Sequence, residues 1–168
     1  RQYGANFISV MPTNLYGPND NFNLETSHVL PALIRKLYEA KISKNRDVIL
    51  WGTGNPKREF LFIDDMASAC IHIMETVDAK QLYDEFRLSH INIGTGEDLS
   101  INDLAVMISK IVGFFGKLSF DDSMPDGTPR KLLDVSLIQR LGWHHNIGLE
   151  DGIRKTYEWY LSTDHLRK

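Results

Sequence analysis

Cysteine is almost missing from this 168-residue chain, where Cys70 stands alone. One thiol excludes an internal disulfide and suits a reducing compartment, so a cytoplasmic location is expected. Long apolar runs are missing as well. The longest is about six residues and contains Pro31, far short of the ~20 that a membrane-spanning helix needs. No segment has the pattern of a signal peptide. Charge of one sign is lacking too: 19 Lys and Arg against 22 Asp and Glu leave a net charge of −3. That excludes a basic patch large enough to make nucleic acid or an anionic membrane the main partner. The familiar catalytic signatures are also absent. Gly-x-Gly occurs at 52/54 and 94/96, but Lys57 and Leu99 stand where the third glycine of a dinucleotide fingerprint belongs. There is no phosphate-binding P-loop, no Gly-x-Ser-x-Gly elbow and no His-Glu-x-x-His helix. The six histidines have no metal-ligand spacing. No Tyr lies four places before a Lys, so the chain alone holds no complete catalytic apparatus and no metal site is expected.

What is present reads as ordinary globular protein, 42% hydrophobic and 24% charged. Gly4 followed by an apolar run reads as the C′ glycine of a helix and then a fully buried strand over residues 7–11. That opening leads us to expect a piece of a longer α/β protein. Residues 12–24 form a loop rich in Asn, Gly and Pro. A helix follows, with Ser27 as its cap and Leu30, Leu33, Ile34 and Leu37 on one face. Short strands are expected at 48–51, 59–63, 90–93 and 117–120. A helix from Asp64 or Asp65 should turn Met66, Ala69, Cys70, Ile73 and Met74 inward, with Cys70 in the core. Residues 78–88 read as a loop or helix extension. Ser100 and Asp103 mark a capping-box-like start to the clearest helix, with Ile101, Leu104, Ala105, Ile108, Ile111 and Val112 at period 3.6. Residues 124–131 are turn-rich, a short helix lies near 136–141, and a last amphipathic helix spans about 149–161. Alternation of strands and helices makes the fold α/β or α+β.

The candidate functional residues sit on loops. Trp51 can cover a ring or fill a core. Arg58 can fork onto a phosphate or form a surface ion pair. Asp126 is a ligand or a turn former. His28 is a proton carrier or a half-exposed residue at a helix start.

Three stretches in order change the weighing. Pro12-Thr13-Asn14-Leu15-Tyr16-Gly17-Pro18, Ser27-His28-Val29-Leu30-Pro31, and Trp51-Gly52-Thr53-Gly54-x-Pro56-x-Arg58-Glu59-Phe60-Leu61-x-x-Asp64-Asp65-Met66 resemble the second half of an extended short-chain dehydrogenase/reductase. Ser89-His90-Ile91-Asn92-Ile93-Gly94-Thr95-Gly96, Pro125-Asp126-Gly127-Thr128-Pro129-Arg130-Lys131-Leu132-Leu133-Asp134 and Leu141-Gly142-Trp143 narrow the resemblance to the GDP-L-fucose synthase family. The resemblance implies an α/β fold: the end of a Rossmann-type domain plus a small mixed α/β substrate-binding domain. Residues 1–28 would give the last strand and loop region of the dinucleotide-binding domain. Residues 29–168 would be mainly substrate-binding, with parts returning to the Rossmann domain. It implies NADP(H) as cofactor, against Pro12, Thr13, Asn14, Leu15 and His28, and His28 as an acid in epimerisation. It places GDP-sugar contacts on Lys36, Trp51, Arg58 and Asp126. The implied reaction is 3,5-epimerisation and 4-reduction of GDP-4-keto-6-deoxymannose by an enzyme that is a homodimer when complete. The glycine-rich loop, the reduction triad and the second epimerisation residue would lie in a first half, so residues 1–168 alone are expected to be inactive. Another nucleotide-sugar epimerase or dehydratase, or a non-catalytic nucleotide-sugar-binding module, are the alternatives.

Overall fold

A computed structural model describes residues 2–163. In chain order the elements are β1 (Ser9–Pro12), β2 (Asn14–Tyr16), α1 (Val29–Ile42), β3 (Asp47–Trp51), β4 (Lys57–Arg58), β5 (Phe60–Phe62) and α2 (Ile63–Thr76). They continue with α3 (Ala79–Asp84), β6 (His90–Ile93), β7 (Leu99–Ser100), α4 (Ile101–Val112), β8 (Lys117–Asp121), β9 (Arg130–Lys131), α5 (Ser136–Arg140) and α6 (Leu149–Ser162). This is a mixed α/β fold dominated by parallel pairing. β1 pairs with β6, β2 with β5 and β3 with β8, all in parallel. β4 lies between β7, antiparallel to it, and β9, parallel to it.

Two apolar cores organise the chain. One gathers Ile34 and Leu37 of α1, Val48 and Leu50 of β3, Leu104 and Ile108 of α4, and Ile153 and Tyr160 of α6. The other gathers Ala69 and Ile73 of α2, Ile91 and Ile93 of β6, Ile138 of α5, and Trp143. The β2–β5 pair runs along the seam between them. Phe60 and Phe62 belong to the first core and Leu61 to the second, as the two-residue period of a strand covered on both faces requires. The ends of this seam position the site.

Several expectations are corrected. Residues 7–11 are not a fully buried strand: Phe7 is 78% exposed and Met11 52%. Ile8 and Val10 pack on the second core while their neighbours face away, so the apolar run is a strand covered on one face. The strand expected at 59–63 is β5, shorter at both ends: Glu59 lies between it and the separate two-residue strand β4, where the chain passes from the β7–β4–β9 sheet to the β2–β5 pair, and Ile63 already begins α2. His28, not Ser27, occupies the N-cap of α1, and makes no side-chain cap bond. Asp65 does not cap α2; its carboxylate accepts from the Asn146 and Ile147 amides at 3.0 and 2.9 Å. Met74 is 83% exposed and Cys70 only half-buried, because they lie at the flank of the α2 stripe centred on Ala69 and Ile73. Residues 79–84 form α3, and β9 interrupts the turn-rich stretch 124–131.

The clearest helix is as read. Ser100 Oγ accepts from the Asp103 amide at 3.0 Å, and Gly113 closes α4 with φ +77°. Ser100→Ala is expected to cost about 1 kcal/mol in denaturant unfolding with an unchanged m-value. No loss of stability would mean that Asp103 and solvent already satisfy this helix end. Among the described residues no helix is long and apolar enough to cross a membrane.

Candidate functional site

Alternation in β3 decides where Trp51 goes. Val48 and Leu50 point into the first core, so Ile49 and Trp51 face out, and Trp51 is 69% exposed at the strand's end. The core alternative for Trp51 is therefore excluded. The chain then turns through Gly52, whose φ of +77° favours glycine. A Cβ there would also collide with Oδ1 of Asp126. Asp126 grips this turn from 73 residues away: Oδ1 accepts from the Thr53 amide at 2.8 Å and Oδ2 from the Thr53 hydroxyl at 2.6 Å. Those bonds, the hydroxyl's first, hold the Asp126 carboxyl below its ordinary range. Asp126 thus organises the turn, and a carboxylate's remaining lone pairs stay free to accept from a ligand.

Thr53→Val should raise the Asp126 pKa towards the ordinary carboxylate value, followed by its carboxyl carbon in an NMR titration. The sign follows from linkage: a depressed folded pKa stabilises the grip above the unfolded value and loses it as pH falls through the folded one. An unmoved titration would show that the Thr53 hydroxyl contributes nothing.

Arg58 lies beyond the same turn. Its Nη1 donates to the Lys57 carbonyl at 2.7 Å, and its Nη2 sits 3.0 Å from where a Gly127 side chain would begin. The guanidinium is therefore beside the Asp126 loop. Among the described residues no carboxylate lies within ion-pair distance of it. The surface ion-pair alternative finds no partner there.

Lys36, on α1, reaches across to β3 and donates from Nζ to the Ile49 carbonyl at 2.7 Å. Partial burial pulls its ammonium below the ordinary value. With Leu24, Val48, Ile49, Trp51 and Asp121 it lines an open groove of about 570 Å³. Lys36, Trp51, Asp126 and Arg58 are thereby linked in one run around the 51–54 turn.

His28 stands apart. It is exposed at the head of α1, about 12 Å up the helix axis from Lys36 at 1.5 Å per residue. Its electrostatic neighbour is Asp20, whose Oδ1 accepts from the Asn21 amide at 2.7 Å and whose Oδ2 is buried without a hydrogen-bond partner. Burial raises the Asp20 carboxyl pKa, against the pull of the Asn21 amide and of His28.

Residues 12–15 lie where β1 passes into β2. The Thr13 amide donates to Ile93 at 3.0 Å, and the Thr13 and Asn14 side chains both donate to the Glu59 carbonyl, at 3.2 and 2.7 Å. Their polar ends are thus turned inward. Leu15 packs against the second core and Pro12 is exposed.

Glu59 is the residue that the sequence reading missed. It is fully buried. Its carboxylate accepts from the Thr95 and Gly96 amides at 2.7 and 2.8 Å and from the Leu133 amide at 3.0 Å. The available signal was a lone acid leading the apolar run Phe60-Leu61-Phe62, since a buried charge needs several donors.

Comparisons with known proteins agree in kind. A family model described as "NAD dependent epimerase/dehydratase family" matches residues 1–94. A curated relative, GDP-L-fucose synthase of Escherichia coli (strain K12), is 55% identical over 162 residues, 96% of this chain and 50% of that protein. The solved structure of a GDP-6-OMe-4-keto-L-xylo-heptose reductase from C. jejuni aligns with TM-score 0.90 and 41% identity, over 96% of this chain and 55% of that one. A GDP-L-fucose synthetase from Naegleria fowleri bound to NADP aligns with TM-score 0.83 and 33% identity, over 96% of this chain and 49% of that one. The chain spans about half the length of the relatives it matches.

Proposed function

The chain belongs to the NAD dependent epimerase/dehydratase family, and we propose that it forms the GDP-sugar-binding half of a GDP-L-fucose synthase. The observation that carries this reading is the linked run of Lys36, Trp51, Asp126 and Arg58 around the 51–54 turn, seen beside the 55% identity to a GDP-L-fucose synthase. Lys36 at the open groove and Arg58 beside the Asp126 loop are two cations that suit a diphosphate, the exposed indole of Trp51 suits a ring, and Asp126 can accept from a hydroxyl or a base edge.

The domain division follows from the same reading. Residues 1–28 contribute the last strand and loop of a dinucleotide-binding domain, and residues 29–168 mainly bind substrate. The second core, which joins α2, β6 and α5 to β1, supports the return of later segments to the dinucleotide-binding part. NADP(H) would meet residues 12–15 at the carboxyl end of the parallel strand β1, where ligands of open α/β sheets bind, and His28 at the head of α1. The residues fit such a neighbour: Pro12 is exposed, and the inward bonds of Thr13 and Asn14 hold the backbone rigid for it. When bound, NADPH supplies the hydride that reduces C4 of the keto sugar.

The chain's own residues supply part of the remaining chemistry, the reduction triad and the second epimerisation residue standing in the other half of the enzyme in this reading. A 4-keto group acidifies the protons at C3 and C5, and His28, whose imidazole can hold and release a proton, returns one to carbon. Arg58 and Lys36 hold the diphosphate while Trp51 and Asp126 orient what it carries. The complete enzyme is a cytoplasmic homodimer in this reading, and an isomerase as well as an oxidoreductase. Its test is turnover by this chain joined to the N-terminal half of the Escherichia coli relative. Consumption of NADPH with GDP-4-keto-6-deoxymannose, yielding GDP-L-fucose, is expected. A correctly folded, NADPH-binding assembly without turnover would refute the reading.

A further inference from the structure

We propose that Glu59 is a positioning residue, which sets the Asp126-bearing loop and the 12–14 segment in one frame so that nucleotide affinity depends on its carboxylate. The inference rests on the GDP-sugar reading of the Arg58–Asp126 region. The geometry is specific. Oε1 accepts from Thr95 and Gly96, in the turn after β6, and Oε2 accepts from Leu133, two residues past β9. The Glu59 carbonyl meanwhile receives Thr13 and Asn14 from the β1–β2 passage. One buried residue therefore joins three segments that lie 36 to 74 positions away.

Among the described residues no cation pairs with this carboxylate. Its charge is met by three backbone N–H groups, with the Thr95 hydroxyl donating at a longer 3.4 Å, so what it mainly fixes is backbone. A Cβ at Gly94 would run into Oε1, which shows how closely the carboxylate lies on that turn. An apolar side chain could fill the same space at lower desolvation cost but would leave the amides of Thr95, Gly96 and Leu133 without acceptors. Just upstream of Leu133's anchor the sheet register completes the frame: Lys57 pairs with Arg130 and Arg58 with Lys131. Loosening Leu133 therefore frees the strand that flanks Arg58 and the loop that carries Asp126.

Glu59→Gln separates the functions of the two oxygens. The amide keeps an oxygen for Thr95 and Gly96 and turns its NH2 towards the Leu133 amide, donor against donor. The test titrates the whole chain with GDP by calorimetry and follows amide exchange in wild type, E59Q and D65N. Asp65 serves as the control, a second buried carboxylate held by two amides but away from the proposed ligand residues. E59Q should weaken GDP about tenfold and speed exchange at Leu133 more than at Thr95 and Gly96, while D65N lowers the melting temperature and keeps its affinity. Unchanged affinity in E59Q, or equal weakening in D65N, would overturn the positioning role. If E59Q does not fold, wild type decides alone: GDP should slow exchange at Leu133, Thr95 and Gly96 together, and slowing confined to residues 51–58 and 126 would overturn the proposal. Absence of GDP binding by wild type would instead refute the GDP-sugar reading, and equal exchange at the three amides in E59Q would refute the frame by itself.

Discussion

Replacing His28 with asparagine in an enzyme that carries this chain should slow exchange of solvent deuterium into C3 and C5 of the keto sugar by roughly 10²–10⁴-fold, the usual loss when a general acid or base is removed. The fold should hardly notice. His28 is exposed at the N-cap of α1 and its side chain makes no cap bond, so nothing structural is withdrawn. Asparagine is also among the best N-cap residues, so the melting temperature should stay level or rise slightly. The buried, unpartnered Oδ2 of Asp20 stands near this head of the helix. Hydride transfer to C4 does not use His28 in this account, so a substrate already epimerised should still be reduced. Wild-type deuterium exchange in the variant would leave His28 as a cofactor contact or a helix start and nothing more.

Arg58→Ala should weaken GDP binding by roughly 10- to 150-fold, the equivalent of ~1.5–3 kcal/mol for a charge-assisted hydrogen bond to a phosphate. Stability should change little, for two reasons. The guanidinium's recorded bond is to the adjacent Lys57 carbonyl, a local contact. No described carboxylate lies within ion-pair distance, so even the ~0–1 kcal/mol of a surface pair is not lost. Calorimetric titration beside a melting curve separates the outcomes. An unchanged dissociation constant with a lowered melting temperature would make Arg58 structural.

The helices were legible because their determinants are local. In α4 the Ser100 cap, the 3.6-residue apolar period and Gly113 lie within one stretch, and Leu104, Ala105, Ile108 and Val112 are buried as that period requires. The same holds for Ile153, Tyr157 and Tyr160 of α6. Residues 7–11 were misread because an apolar run does not say whether one face or both will be covered. The loop residues were legible through family resemblance, while their physical arrangement was not. The Asp126–Thr53 grip and the Lys36–Ile49 reach are long-range bonds with no sequence period. Glu59 is the extreme case: as a single acid at the start of a strand it has no pattern, and its three amide partners come from two distant segments.

The central claim is that this chain holds a guanosine diphosphate site around the 51–54 turn. Calorimetric titration of the 168-residue chain with GDP and with UDP, in wild type and Arg58→Ala, tests it most directly. GDP should bind more tightly than UDP, and the variant should lose affinity for both, because the diphosphate is common to them. Equal affinity for the two nucleotides, or GDP binding that survives the loss of Arg58, would contradict it.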